Sequence, residues 1–183
     1  ECCRLVDPEL INAVAKKIQD RFFPLPNFGN TSLFLNQNYR ELKTQLLEEG
    51  HTFVSETDAE VVVHLLEREY EGDLAAALTR VYPLLEGHFT IVAIHHDESD
   101  LLVGVRCQTP LVVGLGDGEN FLASNVAAFL SQTRRVQFPD DGDVVEITPT
   151  RVRAMRADDG ALVEHEVVEI DWDDESAEKG GYE

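Results

Sequence analysis

The chain has 183 residues, enough for one domain with a sizeable core, and 43% of them are hydrophobic, which excludes wholesale disorder. Acidic residues outnumber basic ones 35 to 15, a formal net charge of -20. A field of that sign repels polyanions, so no nucleic acid and no membrane is expected as a partner, and solubility is the plain use of the excess.

Taken in chain order, Asp7-Pro8-Glu9 is a helix start, with a capping acid, proline at the first helical position and an acid in the first turn. Leu10, Ile11, Val14, Ile18, Phe22 and Phe23 follow at helical spacing, which predicts a helix over 8–23 ending before Pro24 and Pro26. A loop covers 27–32, and a second helix over 39–49 stops at Gly50, suited to a left-handed cap. Residues 51–54 alternate like a short strand. Helices over 59–70 and 74–85 are separated by a break at Gly72-Asp73.

After Gly87 the period changes. Strands are predicted over 88–95, 101–107, 110–115, 120–124, 135–138, 143–148, 151–156 and 162–170, with a helical turn over 126–130. Turns fall at residues 97–100, 116–118, 140–142 and 158–160, each rich in Asp and Gly or Ser. Helices grouped first and hairpins later indicate α+β with antiparallel sheet, not βαβ units. No apolar run approaches the ~20 residues a membrane span needs, and the first residues have no signal-peptide pattern. The three cysteines (Cys2, Cys3 and Cys107) form no disulfide framework and fit a reducing, cytoplasmic setting.

Ser55-Glu56-Thr57-Asp58 marks the junction between the 51–54 segment and the following helix. Locally it is a cap: Ser55 or Thr57 closes the helix, and Ser55 with Asp58 has the spacing of a capping box. The alternative is that one carboxylate leaves the helix start to meet a cationic group of a substrate.

A resemblance bears on that choice. Asn38-Tyr39-Arg40-Glu41-Leu42-Lys43, Gly50-His51-Thr52-Phe53-Val54-Ser55-Glu56-Thr57-Asp58 and Glu60-Val61 resemble the glutaminase domain of glutamine–fructose-6-phosphate aminotransferase, or glucosamine-6-phosphate synthase. The likeness continues through Leu85-Glu86-Gly87, the 110–116 segment, Gly118-Glu119-Asn120-Phe121-Leu122-Ala123-Ser124, Asp141-Gly142-Asp143 and Glu178-Lys179-Gly180-Gly181-Tyr182. It divides the chain into an unmatched segment 1–37, a glutaminase-like domain 38–172 and an acidic linker 173–183 leading toward a sugar-isomerase domain.

The resemblance implies an N-terminal-nucleophile hydrolase fold, an αββα sandwich of two antiparallel sheets. It implies L-glutamine as substrate, hydrolysed by an N-terminal cysteine whose own amine is the base, with ammonia passed on for fructose 6-phosphate amination. Asp58 falls at the position that holds the α-amino group of glutamine. No cofactor and no metal is implied.

The family's nucleophile and oxyanion-hole motifs have no match in residues 1–37. Ser32-Leu33-Phe34 stand where the oxyanion-hole tripeptide belongs. Cys2 follows Glu1, precedes Cys3-Arg4 and a proline-started helix, and is not expected to act as nucleophile. No catalytic residue is therefore assigned. Cys107 and the histidines (His51, His64, His88, His95, His96 and His165) are read as structural, and Asn125 stands where the family usually has Asp.

Three expectations follow. The chain is the glutaminase portion of a hexosamine-forming enzyme that is inactive alone; or it is a non-catalytic scaffold acting as an interaction module; or residues 1–37 are foreign to the domain. The resemblance also implies N-terminal strands in the middle of both sheets, which residues 1–37 do not match; their loss would leave ladder edges uncovered, so a homo-oligomer is also expected.

Overall fold

The computed structural model describes residues 35–55 and 57–171. The helix expected over 8–23, Cys2, Cys3, Ser32-Leu33-Phe34, Glu56 and the linker 173–183 lie outside the described residues.

Among the described residues three α-helices precede most of the strands: α1 (Tyr39–Glu48), α2 (Asp58–Glu69) and α3 (Leu74–Val81), the last running into a 3-10 turn at Tyr82–Leu84. Each buries one stripe. Leu42 and Leu46 lie one turn apart on α1, Val61, Val62 and Leu65 share a face of α2, and Leu74, Ala75, Ala77, Leu78 and Val81 fill α3. The break predicted at Gly72-Asp73 separates α2 from α3, and Asp73 caps α3 by accepting the Ala76 amide at 2.9 Å. Asn38, before α1, donates to the Leu84 carbonyl at 2.9 Å and accepts the Glu86 amide, tying the first helix to the end of the third.

Among the described residues ten strands follow the helices or flank them. They are β1 (Leu35–Asn36), β2 (Gly87–Ala93), β3 (Leu102–Cys107), β4 (Val112–Leu115), β5 (Asn120–Ala123), β6 (Arg135–Gln137), β7 (Asp143–Thr148), β8 (Arg151–Arg156), β9 (Leu162–Val163) and β10 (Val168–Glu169). They pair antiparallel throughout, in a six-stranded sheet of order β1-β2-β3-β7-β8-β9 and a four-stranded sheet of order β10-β6-β4-β5.

Side-chain alternation builds three apolar layers from these sheets. Phe89, Ile91, Val103, Val105 and Val144 face the helices. Val113, Val145, Ile147 and Ala154 lie between the sheets, joined by Leu102, Leu115 and Leu122. Val112, Val136, Val126, Phe129, Leu130 and Ile170 cover the outer face of the four-stranded sheet. Val112 and Val113, or Val144 and Val145, therefore serve different layers although adjacent in sequence. Each large side chain so buried contributes about 1.5–3 kcal/mol of transfer free energy.

The outer layer requires a glycine at Gly114: a Cβ there would stand 2.8 Å from two ring carbons of Phe129. The β4–β5 turn requires another at Gly116, whose Cβ would lie 2.6 Å from the Glu119 carbonyl oxygen.

Two strand predictions are corrected. Residues 51–54 are not in a sheet, although His51 and Phe53 turn inward and Thr52 and Val54 outward, the alternation that suggested a strand. The amide of Val54 is taken by a side chain, leaving no ladder to join. The single strand predicted over 162–170 is two short ones, β9 in the six-stranded sheet and β10 in the four-stranded sheet. His165, between them, sits 3.0 Å from Asp143, and its carbonyl accepts from Gln137 at 2.8 Å, anchoring the crossing.

Candidate functional site

The 53–60 junction is held by side chains reaching in from both flanking helices. Glu60, in the first turn of α2, accepts from the Val54 amide and the Ser55 amide, each at 2.7 Å, and from the Ser55 hydroxyl. Lys43 of α1 donates to the Ser55 carbonyl at 3.1 Å and lies over the Phe53 ring. Burial pushes the Glu60 carboxyl up, but the Ser55 hydroxyl, the two amides and His64 together hold it below the ordinary carboxylate range.

The predicted cap is corrected by this geometry. Thr57 occupies the position before α2 with extended backbone, and its side chain bonds no helix amide. Nor do Ser55 and Asp58 form a capping box: the Ser55 hydroxyl instead contacts the Thr57 hydroxyl at 2.9 Å. The closing acid is Glu60, and Thr57-Asp58-Ala59-Glu60 carries the capping-box spacing that could have identified it.

Asp58 is the first residue of α2 and is half-buried. Among the described residues its carboxylate has no hydrogen bond and no ion pair. It lies where exposed helix amides and the helix dipole favour a negative group. A carboxylate on a rigid junction, with its lone pairs unclaimed, can accept an ammonium.

Other singled-out residues are placed as follows. Cys107 is half-buried at the end of β3 and packs against the helix-side core. His95 is buried and stacks on Tyr70 at 3.9 Å, whereas the neighbouring His96 side chain is 79% exposed, so the two serve no common site. His88 is exposed. Asn125 accepts the Ala127 amide at 3.0 Å, a bond that an Asp oxygen would accept equally. Among the described residues no cysteine, serine or threonine side chain is hydrogen-bonded to a histidine.

Two groupings were not legible from spacing. His51, His64 and Glu67 converge between the 51–54 segment and α2, and Asp140, Asp143 and His165 converge where β7 begins. In the first, only the i,i+3 pair His64 and Glu67 on α2 could have been foreseen.

Two antiparallel sheets with helices packed on one of them define the N-terminal-nucleophile hydrolase type of sandwich. Two solved structures share the fold. Glutamine phosphoribosylpyrophosphate amidotransferase from B. subtilis, complexed with ADP and GMP, superposes with a TM-score of 0.57 at 20% identity, over 67% of this chain and 27% of that one. An allosteric regulatory enzyme of purine biosynthesis does so with a TM-score of 0.57 at 22% identity, over 67% of this chain and 26% of that one.

Residues 30–131 match a family described as glutamine amidotransferase domain, and the chain belongs to that family. Among curated relatives, glutamine–fructose-6-phosphate aminotransferase (isomerizing) of Thermus thermophilus is 50% identical over 146 residues, 80% of this chain and 24% of that protein. The protein of the same name from Thermococcus kodakarensis is 45% identical over 148 residues, 80% of this chain and 25% of that protein. That from Streptomyces coelicolor is 45% identical over 163 residues, 86% of this chain and 26% of that protein. The chain thus spans about a quarter of the length of the relatives it matches.

Proposed function

We propose that this amidotransferase domain is the glutamine-binding portion of a glucosamine-6-phosphate-forming enzyme, and that Asp58 holds the α-amino group of L-glutamine. The observation that carries the reading is Asp58 itself: a half-buried carboxylate without a partner among the described residues, on a junction fixed by Glu60 and Lys43. Ammonia released from glutamine would serve the amination of fructose 6-phosphate in a sugar-isomerase domain of the same enzyme, in the cytoplasm. The names of the 44–50% identical relatives support that assignment.

The reading also holds that the 183-residue polypeptide alone binds glutamine without turning it over. Supporting this, the described residues hold no thiol or hydroxyl paired with a histidine base, and residues 1–37 carry no match to the family's nucleophile motif. Self-association is part of the proposal, because β5 is an outer strand of its sheet among the described residues.

The test is calorimetric titration with L-glutamine and with 4-carbamoylbutanoate, the same molecule without its α-amino group. Binding of the first and at least about tenfold weaker binding of the second supports the assignment, since a hydrogen bond to a charged group contributes about 1.5–3 kcal/mol. Equal affinities would remove Asp58 from the site. An ammonia assay on the same samples, with the N-terminus identified by mass spectrometry, checks for turnover.

A further inference from the structure

Three ligand-type atoms meet where the 51–54 segment crosses α2. His51 Nδ1 is 3.2 Å from His64 Nδ1, His64 Nδ1 is 3.2 Å from Glu67 Oε2, and His51 Nδ1 is 3.5 Å from the same oxygen. The side chains are only 15%, 15% and 16% exposed.

With the carboxylate ionised, no placement of protons satisfies all three edges of this triangle. The ionised carboxylate oxygen only accepts, and each neutral imidazole Nδ1 either donates or accepts. If both nitrogens donate to Glu67, two N–H groups confront each other across 3.2 Å. If one donates and the other accepts, a nitrogen lone pair faces the carboxylate oxygen. If neither donates, both nitrogen lone pairs face that oxygen and each other. Every tautomer choice leaves at least one edge of the triangle pairing like with like.

A cation removes the conflict, because all three lone pairs can then point at one centre. The dimensions select the cation. Zinc–nitrogen and zinc–oxygen bonds of about 2.0–2.2 Å at a tetrahedral angle place ligand atoms about 3.3–3.5 Å apart. The three separations, 3.2, 3.2 and 3.5 Å, lie at or just below that edge length. Two imidazoles and one carboxylate suit zinc, and calcium or magnesium would call for an all-oxygen shell.

The surroundings fit as well. The other ring nitrogen of His64, Nε2, faces Glu60 Oε1 at 3.8 Å, the carboxylate-behind-histidine arrangement that orients metal-bound imidazoles. Phe53 closes one side, its ring 4.5 Å from that of His64.

We propose that His51 Nδ1, His64 Nδ1 and Glu67 Oε2 form a zinc(II) site, with water in the fourth position, that clamps the 51–54 segment to α2. The site is independent of glutamine binding. Its effect on the fold is to lock the segment entering the Asp58 junction onto the helix that Asp58 begins.

The test uses the full 183-residue chain, stripped with a chelator and titrated with zinc chloride, and the same titration with cobalt(II) followed in the visible spectrum. One equivalent should bind. Cobalt should give tetrahedral d–d bands without a thiolate charge-transfer band, which separates this site from Cys2, Cys3 and Cys107. His51→Gln and Glu67→Gln should each weaken zinc binding by more than the roughly 10–100-fold that losing even a partner behind a ligand costs, while retaining native circular dichroism. His165→Gln, in the other histidine–carboxylate cluster, should leave it unchanged. Failure to take up one equivalent, a thiolate band, or unaltered affinity in both His51→Gln and Glu67→Gln overturns the proposal.

Discussion

Glu60 holds Ser55 twice: its carboxylate accepts both the Ser55 amide, at 2.7 Å, and the Ser55 hydroxyl. With the Val54 amide on the second oxygen, one side chain fixes the backbone on the far side of the helix start.

Replacing Glu60 by Ala leaves two amides without their acceptor and should lower the unfolding free energy by about 2 kcal/mol, measured by urea titration. The pH dependence has a definite sign. The folded carboxyl titrates below its ordinary value of 4.5, so its contribution is complete above that pH and is lost as pH falls through the folded value. The gap between native protein and Glu60→Gln should therefore be widest near neutrality and close in acid. A gap that widened in acid would contradict the hydrogen-bond geometry.

Asp58 presents the opposite case, a carboxylate in the same helical turn with nothing to hold it among the described residues. Asp58→Asn should change stability by no more than the helix-dipole contribution of about 0.3–1 kcal/mol. Glutamine affinity should nevertheless fall about 10–100-fold by calorimetry. A large loss of stability would show that Asp58 is structural instead.

At Gly114 a methyl group would meet the Phe129 ring at 2.8 Å in a fully packed layer. Gly114→Ala should cost about 1–3 kcal/mol through overpacking. Adding Phe129→Leu removes the obstructing ring carbons, so the double variant should lose less than the sum of its parts. Strict additivity in thermal melts would place the strain elsewhere.

Glu146 is buried on β7, facing the helices, with Arg153 at 3.6 Å and Arg151 at 3.7 Å. Burial pushes its carboxyl above the ordinary value of 4.5, with Asp73 and Glu98 adding to the rise and the two arginines opposing it. The charged form is thus the less favoured one in the fold, a penalty present at neutral pH and relieved as pH drops through the folded value. Glu146→Gln should equal or exceed the native protein in stability at pH 7 and lose that advantage below about pH 4. Denaturant midpoints across that range provide the check.

Local patterns were legible in the sequence wherever one element decides them. The apolar stripes of α1, α2 and α3, the break at Gly72-Asp73 and the antiparallel hairpins all follow from spacing along one or two neighbouring segments. What spacing cannot report is which sheet a strand joins. Residues 162–170 alternate in one pattern, yet β9 and β10 lie in different sheets because the polar stretch around His165 spans them. Similarly, His51 and Phe53 alternate with their neighbours because they pack on His64, and that contact needs no second strand. The site was legible only in part. Asp58 stood out through a resemblance, whereas Glu60 hid behind the more obvious Ser55, and His51 meets Glu67 only once the chain has folded back on itself.

The order of strands has a kinetic meaning. The six-stranded sheet takes β1, β2 and β3, surrenders the chain to β4, β5 and β6, recovers it for β7, β8 and β9, and loses it again to β10. Neither sheet is a continuous stretch of polypeptide, so neither can be cut out, or mature first during synthesis, as an autonomous piece. Closing β3 against β7 requires the intervening strands to be accommodated already, an entropic demand that slows such topologies relative to helical bundles. Slow assembly is the expected consequence, and among the described residues the pairing of β10 on β6 and the bond from the Ile170 amide to the Arg134 carbonyl are the latest contacts a nascent chain can make.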